Sequence, residues 1–193
     1  MKEDILEQLV DDYLQHKGYF TLHNIKFRPD ATHSDYVRNK DSNHSDIDVL
    51  GINPTLTGPA RIYAVSCKSW QSGLNPERKI EEIEKGLIVS GRDAWKGFRE
   101  LVVPKWADAF KRSVFEMTNE TEFTYVTAVT LIKGNKNTWE KHQPFLDLMD
   151  NNPVKLLTFT DIVDEIMPNI GTTVASSDIG RMLQLIKAAG WNK

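Results

Sequence analysis

Two acids interrupt a run that otherwise reads as a buried strand, Ser45-Asp46-Ile47-Asp48-Val49-Leu50-Gly51-Ile52. Two-residue periodicity puts Asp46, Asp48 and Leu50 on one face and Ile47 and Val49 on the other. A second strand-like run, Arg61-Ile62-Tyr63-Ala64-Val65-Ser66-Cys67-Lys68-Ser69-Trp70, puts Ser66 and Lys68 on a common face and turns Val65 and Cys67 away. The segment between them, Asn53-Pro54-Thr55-Leu56-Thr57-Gly58-Pro59, is rich in turn formers. The two runs therefore read as an antiparallel hairpin in which Asp48 and Lys68 converge at one end. A carboxylate and an ammonium on an apolar sheet need a reason. A partly buried salt bridge is one reason, and a working site is the other.

The elements that must carry this hairpin are legible around it. From residue 5 to 17, Ile5, Leu6, Leu9, Val10, Tyr13 and Leu14 recur at helical spacing, and Gly18 supplies a stop. Glu7 lies on that helix beside Val10 and Leu14, at the edge of the buried stripe. An acid in a first turn is also favoured simply by the helix dipole. Residues 19–27 read as the first strand, and the polar stretch 28–45 as a loop or mobile flap. Pro76 opens a helix with Ile80, Ile83 and Leu87 inward, and a further helical region runs from 92 to 117 with a kink near Pro104. Residues 123–133 and 154–159 are strands, 161–167 a short helix, and 178–189 a terminal helix closed by Gly190. This order predicts an α/β fold, a mixed β-sheet flanked by helices, with an N-terminal helix preceding a three-strand segment.

Asp48-Val49-Leu50-Gly51 followed by Ala64-Val65-Ser66-Cys67-Lys68-Ser69-Trp70 resembles the PD-(D/E)XK nuclease superfamily, whose signature is an acid on one hairpin strand and an acid-x-Lys element on the next. Glu7-Gln8-Leu9-Val10-Asp11-Asp12-Tyr13-Leu14-Gln15-His16-Lys17-Gly18-Tyr19 is similar to the leading helix of Mrr-type restriction endonuclease domains. The resemblance covers about the first half of the chain. It implies a restriction-endonuclease-like fold over residues 1–193, with the motifs in residues 1–90 and sheet-completing helices and strands in 91–193. It also implies a DNA endonuclease that uses magnesium, or manganese in its place, with Asp48 as main metal ligand, Lys68 as catalytic lysine and Glu7 as the helix-borne acid. Pro29-Asp30 matches the letters of the motif but lies in a polar loop without the strand the chemistry requires.

Ser66 departs from the family, because a hydroxyl is a poor ligand for a hard cation where an acid or amide is usual. A subgroup of restriction enzymes with Ser-x-Lys draws the missing acid from the following helix. Here that helix carries Glu81, Glu82 and Glu84, of which Glu82 is the first choice; the same segment, with Arg78, Lys79 and Lys85, also reads as a solvated face. Such a set would activate water, neutralise charge on a phosphodiester and stabilise the leaving oxygen. The alternative is a module of the same fold that binds nucleic acid or protein without cleaving, with the site degraded at Ser66.

Composition bounds these readings. The 193 residues are 40% hydrophobic and 26% charged with a net charge of -3, the profile of a globular protein without a global basic field. Cys67 is the lone cysteine, which excludes an internal disulfide and a cysteine-cluster zinc site. No apolar run reaches the ~20 residues of a membrane span, so the expectation is no membrane partner and a cytoplasmic location. Double-strand cleavage would suit a homodimer. Cations and aromatics alternate in Trp95-Lys96-Gly97-Phe98-Arg99 and in Lys105-Trp106-Ala107-Asp108-Ala109-Phe110-Lys111-Arg112, a pattern that suits phosphate contacts and stacking, or an amphipathic helix.

Overall fold

The computed structural model describes residues 4–173, 175 and 177–190. The chain runs α1 (Ile5–His16), β1 (Phe20–Phe27), α2 (Arg38–Asp41), β2 (Ser45–Ile52), β3 (Ile62–Lys68), α3 (Pro76–Glu84), β4 (Ile88–Val89), β5 (Arg92–Asp93), α4 (Arg99–Val102) and α5 (Pro104–Thr118). It continues with β6 (Thr124–Val129), α6 (Lys136–Glu140), α7 (Gln143–Leu148), β7 (Val154–Thr158), α8 (Phe159–Ile166) and α9 (Asp178–Ala188). Five strands form one mixed sheet in the order β1-β2-β3-β6-β7. The first three pair antiparallel, and β3, β6 and β7 run parallel. The expected α/β class and the hairpin are both present.

The sheet separates two cores. On one side Leu6, Leu9, Val10 and Leu14 of α1 meet Val49, Val65, Val126 and Ala128, with α8 and α9 completing the layer through Ile162, Ile166, Ile179 and Leu183. On the other side Leu50, Ala64, Tyr125 and Leu156 pack beneath Ile80, Phe98, Leu101, Trp106, Phe110 and Trp139, contributed by α3 to α6 and the 3-10 segment Ala94–Phe98. Gly51 lets α1 approach: a Cβ there would stand 3.1 Å from Leu14 and from Tyr19. A larger residue at 51 would push the first helix off β2.

Strand alternation fails at one informative place. Leu50 and Ile47 both pack in the core beneath α3 to α6, whereas Val49 belongs to the α1 side, so Ile47 and Val49 do not share a face as period-two spacing predicts. The pairing of β1 with β2 skips Asn24 and Asp48, and Asn24 has a φ of 53°, in the left-handed region that asparagine tolerates. The irregular residue lies across from Asp48, so the pleat is broken at the position that carries the acid.

Residues 28–45 are a loop with one helical turn, and they are fastened down. Lys105 Nζ on α5 donates to Asp35 O at 2.8 Å and to Asp41 Oδ2 at 2.7 Å, and Val37 N donates to that same carboxylate at 2.7 Å. The expected helix over 92–117 is split further than a kink: a two-strand hairpin, a 3-10 segment and α4 precede α5. Val103, at φ -116° and ψ 116°, leaves the helical region just before Pro104, as the proline ring demands. The strand expected over 123–133 ends at Val129, after which only Ile132 bridges Leu74. α6 and α7 were invisible to periodicity, since five and six residues are too few to show a period.

Candidate active site

Pairing of β2 with β3 ends at Val49 and Val65, one step before Asp48 would face Ser66. Asp48 uses the gap: its Oδ2 accepts the Cys67 backbone N–H at 2.6 Å. The carboxylate thus takes the place of a ladder carbonyl. Burial pushes the Asp48 pKa up; Lys68 and the Cys67 amide pull it down, and Glu100 and Asp46 push it up again, with a net rise. This carboxylate carries less positive compensation than its burial calls for.

Lys68 lies across the same notch. Its Nζ donates to Ser66 Oγ at 2.7 Å and stands 5.9 Å from the centroid of the Phe98 ring. Asp48 and Lys68 interact electrostatically but are not among the ion pairs formed by the described residues. They share a site without closing a simple salt bridge. Ser66, which is 5% exposed, therefore holds the lysine.

α1 delivers its acids to the other side of the notch. Asp4 caps the helix through Leu6 N at 2.8 Å, and its Oδ2 accepts from Ser69 Oγ at 2.7 Å, which fastens the helix start to the exit of β3. Glu7 follows in the first turn. Burial pushes the Cys67 thiol well above its ordinary value, and Asp48, Glu7 and Asp4 add to the rise while Lys68 opposes it. Asp48, Glu7 and Lys68 thus all act on one residue at the end of β3.

A buried polar group behind Lys68 has no counterpart among the expected site residues. Glu100, on α4 and 4% exposed, accepts the Tyr125 hydroxyl at 2.6 Å, and the phenol also lies beside Ser66 and Thr127. Thr127 Oγ1 is buried and makes no hydrogen bond among the described residues. Register puts Ser66 next to Thr127 and Lys68 next to Val129 on β6. The signal for Glu100 resembles that for Asp48, an acid set among apolar residues, here Phe98, Leu101, Val102 and Val103. The break between 3-10 and α-helix hides its inward face.

The glutamates of α3 have other uses. Glu82 is buried, accepts Arg78 Nε at 2.8 Å and pairs with Lys79, so two cations hold the carboxylate first chosen to replace the strand acid. Glu81 pairs with Lys85 on the exposed side. Glu84 faces His142 at 3.8 Å. Asp30 of the Pro-Asp pair caps a turn through Thr32 N at 2.9 Å. Trp70, 37% exposed, packs edge-on against Phe98 at 5.7 Å.

No three His, Cys, Asp or Glu side chains among the described residues stand close enough together to enclose a metal ion. Magnesium asks for less than a cage, since it keeps several waters and takes one or two carboxylates with substrate phosphate. Asp48, half-buried and short of positive charge, fits that demand, and Glu7 lies within electrostatic range of the same strand end. No helix among the described residues is long and apolar enough to cross a membrane. Compared with family models, curated proteins and solved structures, the chain matches none.

Proposed function

We propose that the chain is a metal-dependent endonuclease that hydrolyses phosphodiester bonds in DNA. The observation that carries this reading is the unpaired meeting at the end of β3: a half-buried, under-compensated Asp48 beside a Lys68 that is tethered to a serine rather than to the acid. A purely structural ion pair would bring the two charges into contact. Here the charges stay apart, which leaves each available to a third group.

In this reading Asp48 and Glu7 would hold magnesium or manganese, with waters completing the shell, and the cation would supply an acidified water and charge neutralisation at phosphate. The remaining work falls to the chain. Lys68, its ammonium steadied by Ser66, would meet a non-bridging or leaving oxygen and offset the negative charge that develops there. Ser66 is in turn a positioning residue, backed by Tyr125 and Glu100. The sheet topology, three antiparallel strands followed by two parallel ones with a helix in front, agrees with the restriction-endonuclease-like fold that the motifs imply.

Plasmid cleavage in magnesium or manganese tests the reading. Wild-type protein is expected to nick or linearise DNA only with metal, and Asp48→Ala and Lys68→Ala are each expected to lose at least about 100-fold, the scale of removing one electrostatic stabiliser. Cleavage undiminished in both variants would reject it. A second reading, a non-cleaving module of the same fold that binds DNA, is favoured by one observation: the hydroxyl of Ser66 is spent on Lys68 and no three-acid cluster surrounds the notch among the described residues. It predicts DNA binding with no metal-dependent cutting.

A further inference from the structure

A groove of about 970 Å³ opens beside the notch, between the α2 turn and the segment from β4 to Arg99. Five of its lining residues are Lys or Arg (Lys40, Lys79, Arg92, Lys96 and Arg99), against the single carboxylate of Asp93. In a chain whose net charge is -3, that is a local reversal of sign. Asp93 pairs with Lys96 at 2.8 Å and Lys79 with Glu82, while Lys40, Arg92 and Arg99 form no ion pair among the described residues. The Arg99 guanidinium stacks 4.4 Å from the Trp106 centroid and donates Nε to Lys96 O at 3.3 Å. Anchored over the ring and through Nε, it presents its outer nitrogens to a phosphate.

The groove also offers aromatic faces. Trp70 and Trp95 line it, both partly exposed. Gly97 stands in front of Trp70: a Cβ there would fall 3.8 Å from Cζ2 and 3.9 Å from Cη2 of the indole. Glycine thus leaves open a part of the ring that a large side chain at 97 would crowd. Trp70 touches the buried Phe98 edge-on, and Phe98 also faces the Lys68 ammonium at 5.9 Å, so one ring links the groove's wall to the notch.

We propose that this groove binds an unpaired DNA strand, with phosphates on Lys40, Arg92, Lys96 and Arg99 and a base stacked on Trp70, and that it leads the strand to Lys68. Bases in a duplex hide their faces against one another, whereas exposed indoles recognise bases that are unstacked. The volume lies at the upper end of clefts built for small molecules, about 300–1,000 Å³, which suits a few nucleotides of one strand rather than a double helix. The inference rests on the nuclease reading for what happens at Lys68, but strand binding is testable without it.

Anisotropy of a fluorescein-labelled oligothymidylate, titrated with the full chain in EDTA, measures binding with cleavage suppressed. The single strand is expected to outcompete a duplex of equal length. Gly97→Leu is expected to weaken binding about tenfold, the loss of one stacked base. Its φ is not in the left-handed region and its Cβ meets no clash, so thermal stability should hold. The pair Arg92→Glu and Lys96→Glu should weaken binding at least as much and flatten the salt dependence by about 0.7 for each phosphate that is no longer neutralised. Equal affinity for duplex and single strand, or wild-type binding by folded Gly97→Leu, would overturn the proposal. Groove-dependent binding without metal-dependent cutting would leave this site standing and remove the nuclease reading; metal-dependent cutting that Gly97→Leu leaves untouched would do the reverse.

Discussion

Residues 95–99 and 105–112 carry the same alternation of cations and aromatics, and the fold puts the two segments to different uses. On α5 every cation meets a partner brought from elsewhere. Lys105 holds Asp41, Lys111 holds Asp150 at 2.9 Å and Asp108, and Arg112 donates to Arg28 O at 3.2 Å. The aromatic positions of that segment, Trp106 and Phe110, are 1% and 2% exposed. In the 95–99 segment Trp95 stays half-buried, and Arg99 and Lys96 open onto a groove. Lys96 finds only its near neighbour Asp93 and Arg99 no acid among the described residues, so what separates a structural cation from a binding one is whether a distant part of the chain supplies its counter-charge.

The strongest way to break that contrast is at the two tryptophans. Trp106→Ala should cost about 3–5 kcal/mol, because a fully enclosed indole leaves a cavity that its neighbours cannot fill. Trp95→Ala, half-exposed, should cost far less and weaken oligonucleotide binding instead. Urea melts of both variants, paired with anisotropy, check this; equal destabilisation by the two would erase the distinction.

Lysines give the next test. Burial pulls the Asp41 carboxyl up, but the Lys105 ammonium and the Val37 amide outweigh it, and the pKa ends below its ordinary value. A depressed acid contributes stability that is present above the unfolded pKa of about 3.9 and is lost as pH falls through the folded value. Lys105→Ala leaves that buried charge unpaired and should cost about 3 kcal/mol at neutral pH, with the gap from wild type narrowing as acid protonates Asp41. It should also release residues 28–45 to proteolysis. Lys96→Ala, exposed, should stay within about 0.5 kcal/mol of wild type at every pH.

The comparison also explains how far residue patterns reached. The α1 stripe and the hairpin, with Asp48 and Lys68 near the same end of it, were legible because each depends on one short period and one turn. The Ile47–Val49 alternation was not, since the kink opposite Asn24 is a tertiary compromise between two cores. Glu100 was hidden for a related reason: its inward face exists only because the chain breaks three times between Arg92 and Pro104. Glu82 looked available on spacing alone, and the partners that occupy it, Arg78 and Lys79, sat in plain view on the same helix. Spacing says which residues share a face, and it is silent on which charges are already answered.

Asp48 sharpens this point in the smallest and most telling effect. Its carboxyl has a raised pKa in the fold, burial being the main cause, so the folded state binds its proton more tightly than the unfolded chain does. Stability therefore falls as pH rises from the unfolded pKa of about 3.9 through the raised value, the opposite sign to Asp41. Asp48→Asn keeps an oxygen for the Cys67 amide and removes the uncompensated charge, so it should stabilise the protein at neutral pH by about 1 kcal/mol, or about 2–4 °C. Below the unfolded pKa the gain should vanish, because the wild-type side chain is then neutral in both states. Added magnesium should raise the melting temperature of wild type and not of Asp48→Asn, closing the gap from the other side. A variant less stable than wild type at neutral pH would mean that Asp48 is already balanced by its surroundings, as Asp41 is, and that the notch at the end of β3 is structural.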